Sequence, residues 1–199
     1  RSKALEGRVG AIVAMDPRNG EILAMASAPS FDPNAFSTRL SHDDWQSLLE
    51  DADRPLQNRC IQNSYPPGSI FKLVMAAAGL EEGLIDDTTS VFCSGSEVYY
   101  GRRFHCGSSG GHGRVYLENA IAKSCNIFFY DLGRRLGISR IAKHASRLGL
   151  GEKTGIDLPG ERSGIVPGPE WKKATSGEPW YPGETIPVSI GQGAVSTTP

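Results

Sequence analysis

The run Tyr65-Pro66-Pro67-Gly68-Ser69-Ile70-Phe71-Lys72 leads directly into Leu73-Val74-Met75-Ala76-Ala77-Ala78-Gly79-Leu80. Two prolines and a glycine cannot continue a helix, whereas the residues after them are good helix formers. The pattern predicts a helix with Ser69 in its first turn, running to about Glu82 and stopped by Gly83. Ser69 and Lys72 are three apart, so on that helix they share a face and the amine can reach the hydroxyl. A serine is a poor nucleophile until something takes its proton. A lysine can take it when burial and a nearby helix N-terminus lower its own pKa. The plain structural alternative is an N-cap serine followed by a surface lysine, which is common. Against it stand the rigid Pro-Pro-Gly launch and the fact that no other Ser-x-x-Lys occurs in the chain.

Upstream, Val9–Met15 and Glu21–Ser27 are apolar runs joined by Asp16-Pro17-Arg18-Asn19-Gly20, a strong hairpin signal. Both runs carry small or apolar residues on each face, which suits a sheet covered on both sides. Residues 41–50 read as a short polar helix capped by Ser41. Downstream, Ser90 to Gly113 is rich in glycine and serine, with two short apolar or aromatic pieces. Helices are expected over Leu117–Lys123, Ile127–Leu136 and Ile138–Leu148, the last two closed by Gly137 and Gly149. Many short helices beside one hairpin predict an α/β (α+β) architecture with an α-rich lobe next to a sheet. The segments are a sheet hairpin over 1–30, an α-rich lobe over 60–150 and a turn-rich stretch over 151–199.

Ser124-Cys125-Asn126 sits at a break between two of those helices. A hydroxyl and a carboxamide two residues apart can both face a cleft, one relaying a proton and the other holding a carbonyl or an amine. Helix capping is the alternative use of both residue types. Cys93, Cys106, His112 and Cys125 have 12, 5 and 12 residues between them. Three thiolates and an imidazole make a tetrahedral structural zinc set, and the glycine-rich segment has little else to order it. Disulfides or free thiols are the alternatives, His105 is a rival ligand, and Cys60 reads as a buried spare.

These motifs, in this order, resemble the class B penicillin-binding proteins. The resemblance rests on the Met15-Asp16-Pro17 … Gly20-Glu21-Ile22-Leu23-Ala24-Met25 hairpin, on Asn58-Arg59, on Tyr65-Pro66-Pro67-Gly68-Ser69-x-x-Lys72 and on Ser124-x-Asn126. It extends from about residue 9 to the end of the chain. Gly111-His112-Gly113 and Cys125 are similar to the elongation-type members, the penicillin-binding protein 2 kind. Some of those bind zinc with Asp, His and Cys; here Cys93 and Cys106 would stand in for the other ligands. The resemblance implies a penicillin-recognising transpeptidase fold, β-lactamase-like, with an incomplete sheet. It implies peptidoglycan D,D-transpeptidase activity, with Ser69 as nucleophile, Lys72 as base, Ser124 as proton relay and Asn126 positioning substrate and Lys72. Stem peptides and β-lactams would be its ligands, a membrane glycosyltransferase its partner, and the periplasmic side of the bacterial inner membrane its place. A β-lactamase or β-lactam sensor, or a non-catalytic zinc-stabilised scaffold, are the other classes open to the sequence.

Lys153-Thr154-Gly155 looks like the family's third motif, but Pro159-Gly160 makes a turn where a substrate-docking strand would be needed. Lys153 is therefore assigned no catalytic role. The chain reads as part of a longer protein that starts abruptly at Arg1-Ser2, lacks the true triplet and any anchor, and would be inactive alone. Trp180 reads as structural, and Glu184 and Gln192 as possible cleft residues. With 21 basic and 22 acidic residues, no global field favours nucleic acid.

Overall fold

The computed structural model describes residues 3–37 and 40–199. Arg1, Ser2, Thr38 and Arg39 lie outside the described residues, and with them the start at Arg1-Ser2. The chain divides into two compact units, one taking the chain up to Tyr65 with Gly155–Arg162 and Thr198–Pro199, the other Pro66–Thr154 with Ser163–Thr197.

In the first unit, β1 (Gly10–Met15) and β2 (Ile22–Ala28) pair antiparallel, with Gly10 opposite Ala28 and a shift in register after Ala14. Gly20 turns the chain at φ +80°, a conformation that the Asn-Gly pair supplies without strain. α1 (His42–Glu50) follows, its first turn capped by Ser41 Oγ, which accepts from Asp44 N–H. α2 (Arg59–Gln62) packs on the hairpin, and the Cys60 sulfur lies 3.2 Å from the Ala26 carbonyl. Cys60 is thus buried, as expected. The sheet is not covered on both sides, however: Val9, Met15, Ile22 and Leu23 are exposed. Within this unit α2 is too short to shield more than part of two strands. Arg59 turns its buried guanidinium onto the carbonyls of Asp53 and Arg54. Gly155–Arg162 is irregular rather than a strand, with Arg162 N–H on the Ile61 carbonyl and the Gln62 amide on the Pro159 carbonyl.

The second unit is built around α3 (Phe71–Glu81) and α5 (Asn126–Leu136), against which α6 (Ile138–Arg147) and α8 (Thr185–Val188) pack. α3 is apolar nearly all round, which is the pattern of a helix at the centre of a core. α6 buries Ile138, Ile141 and Ala145, at i, i+3 and i+7, together with His144, whose Nε2 lies 2.8 Å from Glu82, and keeps Arg140, Lys143 and Arg147 outside. Phe71, Met75, Phe128, Phe129, Leu132, Ile141 and Ile186 are almost fully buried between these helices. α4 (Leu117–Ala122) and α7 (Pro169–Ser176) complete the helices of this unit.

The glycine-rich segment is not loop. It forms β3 (Ser90–Cys93) with β6 (Gly113–Tyr116), and β4 (Ser96–Tyr99) with β5 (Arg102–His105), both antiparallel. Among the described residues there are therefore three two-stranded sheets, not a single hairpin. Strands of four residues hold too few alternating positions to declare themselves in sequence. α7 also replaces an expected turn-rich run; Pro169 at its start and Gly177 in the left-handed conformation at its end are its boundary marks.

Two glycines set how closely these helices approach. A Cβ on Gly133 would fall 2.5 Å from Ser189 Cβ, just beyond α8, and one on Gly79 would fall 3.0 Å from Leu132 Cδ1 of α5. Gly133→Ala should therefore cost about 1–3 kcal/mol despite the helix propensity it gains, measured by urea denaturation of the intact protein.

Candidate active site

Ser69 lies in a 3₁₀ turn, Gly68–Ile70, that runs straight into α3. The turn is closed by Gly68, at φ +60°, whose N–H donates to the Gly191 carbonyl at 2.8 Å. Gly191 is itself at φ +71°, and a Cβ there would lie 2.1 Å from the Gly68 oxygen. Only glycine fits this approach of backbone to backbone. Ser69 is exposed, while Lys72, one turn on, is 2% exposed.

The lysine amine is surrounded by oxygen. Nζ lies 3.2 Å from Ser69 Oγ, 2.9 Å from Ser124 Oγ, 2.9 Å from the Ser124 carbonyl and 2.7 Å from Asn126 Oδ1. Ser124 Oγ is also 2.9 Å from Ser69 Oγ. The four residues named from sequence as a catalytic set are thus brought together. Burial pushes the Lys72 pKa below that of an ordinary lysine, and the Cys106 and Cys125 sulfurs, where ionised, pull it partly back. The Phe129 ring, 5.6 Å from Nζ, forms an apolar wall behind it.

The carbonyl and the carboxamide can only accept from the amine, and they occupy two of its N–H groups. The remaining position meets hydroxyls, which can accept a third N–H or donate to a lone pair. That is the geometry of an amine that exchanges a proton with Ser69 or Ser124.

Ser124 has φ +51°, uncommon for a residue with a Cβ. It is held there from both sides, by its own N–H on the Ile121 carbonyl and by Cys125 N–H on the Ala120 carbonyl. Cys125 is fully buried and caps α5, so that Asn126 emerges at the first helical position. The Asn126 amide nitrogen donates to the His105 carbonyl at 3.1 Å, which fixes the carboxamide with its oxygen toward Lys72.

Behind this motif, the ligand atoms of Cys93, Cys106, His112 and Cys125 all lie within 4.8 Å of one another. His112 Nδ1 is 3.7 Å from the Cys93 sulfur and 3.5 Å from that of Cys106. His105, the rival ligand, is exposed and outside the cluster. Burial raises the Cys125 thiol to about 12. At Cys106 burial acts the same way, but N–H donors from Ser108, Asn126 and Ile127 and the Cys93 thiol outweigh it and favour the thiolate. No disulfide joins the four cysteines. Such a set could hold a borderline-soft divalent cation.

Lys153 is exposed and not on a strand. Trp180 is part of the core's edge, donating Nε1–H to Thr185 Oγ1 at 3.0 Å. Glu184 is committed to Lys172, and Gln192 is exposed. The Gly191 contact was not legible in sequence; the Gly-x-Gly at 191–193, next to an apolar run, was its sole signal.

The penicillin-binding protein transpeptidase domain matches residues 10–199. The chain belongs to that family. The transpeptidase domain is 46% identical over 200 residues to the peptidoglycan D,D-transpeptidase MrdA of Acinetobacter baumannii, covering all of this chain and 30% of the relative. Among solved structures, PBP2 of Pseudomonas aeruginosa, in complex with WCK 5153, matches with a TM-score of 0.91 at 44% identity, over 98% of this chain and 45% of that one. PBP2 of Helicobacter pylori matches with a TM-score of 0.93 at 37% identity, over 98% of this chain and 37% of that one. The chain thus spans about a third of the length of the curated relatives it matches.

Because a side chain at 191 must displace Gly68, Gly191→Ala in the intact protein should slow labelling of Ser69 by a fluorescent penicillin by at least tenfold, read as a time course. Leu148→Ala, at an exposed position beyond α6, should leave that time course unchanged.

Proposed function

We propose that the chain carries the nucleophile of an elongation-type peptidoglycan D,D-transpeptidase. The observation that supports this best is the buried amine of Lys72 within hydrogen-bond reach of Ser69, Ser124 and Asn126. In this reading Ser69 Oγ attacks the carbonyl between the two terminal D-alanines of a stem peptide and gives its proton to neutral Lys72. The Ser69 N–H donates to the oxyanion. The C–N bond then breaks, and the departing D-alanine amine takes a proton passed from Lys72 through Ser124 Oγ. An amine on a neighbouring stem attacks the acyl-serine; its proton returns by the same route and Ser69 leaves as the hydroxyl. Asn126 orients Lys72 and receives the substrate amide. A β-lactam would acylate Ser69 by the first half of this sequence.

The family, and relatives named as D,D-transpeptidases, support cross-linking over the β-lactamase, sensor or scaffold readings. A substrate outside the inner membrane supports a periplasmic location for this domain. A PBP2 has been solved with MreC, and another match comes from a peptidoglycan synthase complex described as coordinating polymerization and crosslinking. The second supports a place beside an enzyme that polymerises the glycan, the membrane glycosyltransferase of this reading.

We also propose a structural zinc held by Cys93, Cys106, His112 and Cys125. Tetrahedral zinc with Zn–S about 2.3 Å and Zn–N about 2.0 Å sets sulfur and nitrogen about 3.5 Å apart, and the two separations measured to His112 Nδ1 are 3.7 and 3.5 Å. Four protein ligands leave no open position, so the metal would supply rigidity and no chemistry.

Three outcomes are expected of the intact protein. Ser69→Ala should abolish the covalent penicillin adduct, located by peptide mass; labelling that persists would sink the assignment. The base must be neutral, so the acylation rate should rise with pH and level off above the Lys72 pKa, below the ordinary lysine value of about 10.4. A profile still climbing at that value would argue against Lys72. Purified protein should carry about one zinc per chain by metal analysis, and Cys93→Ser should lose it and lower the thermal midpoint.

A further inference from the structure

The second unit contains a cleft that acyl transfer does not use. Its volume is about 500 Å³, within the usual size of a small-molecule site. Tyr99, Tyr100 and Phe104, from β4, β5 and the turn between them, line it with Arg102, whose guanidinium lies 5.5 Å from the Phe104 ring centroid; Trp171, Trp180 and Tyr181 line it too. Lys172 in its wall is 9% exposed. Its Nζ lies 2.7 and 2.6 Å from the two Glu184 oxygens and 4.4 Å from the Tyr181 ring centroid. Tyr181 N–H also donates to Glu184, at 2.8 Å. The buried charge is cancelled within the wall, and the Tyr181 backbone is pinned by the same carboxylate.

Tyr100 is the unusual member. It has φ +50°, followed by Gly101 at φ +78°. Two left-handed residues in a tight hairpin turn favour Asn-Gly, and a tyrosine in the first position is strained. Packing does not repay the strain, because Tyr100 is 59% exposed. Strain kept on an exposed aromatic at the mouth of a cleft points to a ligand.

We propose that this cleft holds a pyranose ring of a glycan strand. Such a ring presents apolar C–H faces to aromatic walls and neutral hydroxyls to a site whose buried lysine is already paired. A charged stem peptide would meet Arg102 at the exposed rim, where it lies over the Phe104 ring, but deeper in it would bring its ions against apolar rings and a lysine already paired with Glu184, at a desolvation cost. The location fits a substrate that extends from the active site. Phe104 precedes His105, whose carbonyl receives the Asn126 amide, and Gly193 lies two residues after the Gly191 that holds the Ser69 turn. The identity of the glycan as peptidoglycan rests on the proposed function.

The test uses the intact protein and a stem-free N-acetylglucosamine tetramer, followed by tryptophan fluorescence and titration calorimetry. Saturable binding is expected, weakened at least tenfold in Trp171→Ala. Tyr100→Asn gives the turn its preferred residue, so it should raise the thermal midpoint and still weaken the tetramer at least tenfold. A stability gain with unchanged affinity would mean that Tyr100 has no ligand role and would overturn the proposal. So would the absence of saturable tetramer binding, or a quench caused by stem pentapeptide alone. Penicillin labelling of the unmodified protein separates the two readings. Labelling at Ser69 without tetramer binding defeats the cleft assignment only, and tetramer binding without labelling defeats the acyl-transfer assignment only.

Discussion

Lys72 carries an amine in a place where an ammonium ion is costly. Its side chain is buried at the base of α3, against Phe129, and its nitrogen touches four oxygens from three residues. An isolated ammonium there would lose several kcal/mol of hydration. The chain offsets this with two acceptors that cannot donate, the Ser124 carbonyl and Asn126 Oδ1, and leaves the hydroxyls to decide where the proton rests. The environment is a compromise between burial, which favours the neutral amine, and the nearby sulfurs, which, where ionised, favour the charged one.

Ser124 and Asn126, which supply three of those oxygens, flank Cys125. Its side chain is fully buried in a cluster with Cys93, Cys106 and His112, while its neighbours on each side face Lys72. A single residue therefore joins a sulfur-rich cluster to a serine in a left-handed conformation and to the first residue of α5. Left-handed backbone at a residue with a Cβ costs about 1–2 kcal/mol and persists where the surroundings over-determine it. Here they do, by hydrogen bonds from both Ser124 and Cys125 to the end of α4.

The parts of this arrangement that were legible in sequence are those set by local periodicity. Ser69 and Lys72 meet because three residues is nearly one helical turn, and the ends of α1, α3, α5 and α6 follow from serine and glycine boundary residues. The cluster of three cysteines and His112 was legible as chemistry, since the donor set limits the options. Contacts set by distant backbone were not. Nothing near Gly68 signals that Gly191 must touch it, and β3 to β6 are each four residues long, below the length at which alternation is a usable signal. The expected two-sided burial of the first hairpin failed for a related reason: composition gives the apolarity of a strand but not what lies over it. Lys172 and Glu184 pair across a loop and a turn, a contact that no residue spacing announces.

The hydrogen bond from Gly68 to Gly191 joins positions 123 residues apart (191 minus 68). A nascent chain is made in one direction, at about 5–20 residues per second. The turn that presents Ser69 therefore leaves the ribosome without its partner and waits roughly 6 to 25 seconds for residue 191 to be polymerised. Until then Ser69 has Lys72 three residues away but lacks the Gly68–Gly191 hydrogen bond beside its turn. The backbone of the Ser69 turn is thus completed by one of the last parts of this sequence to be made.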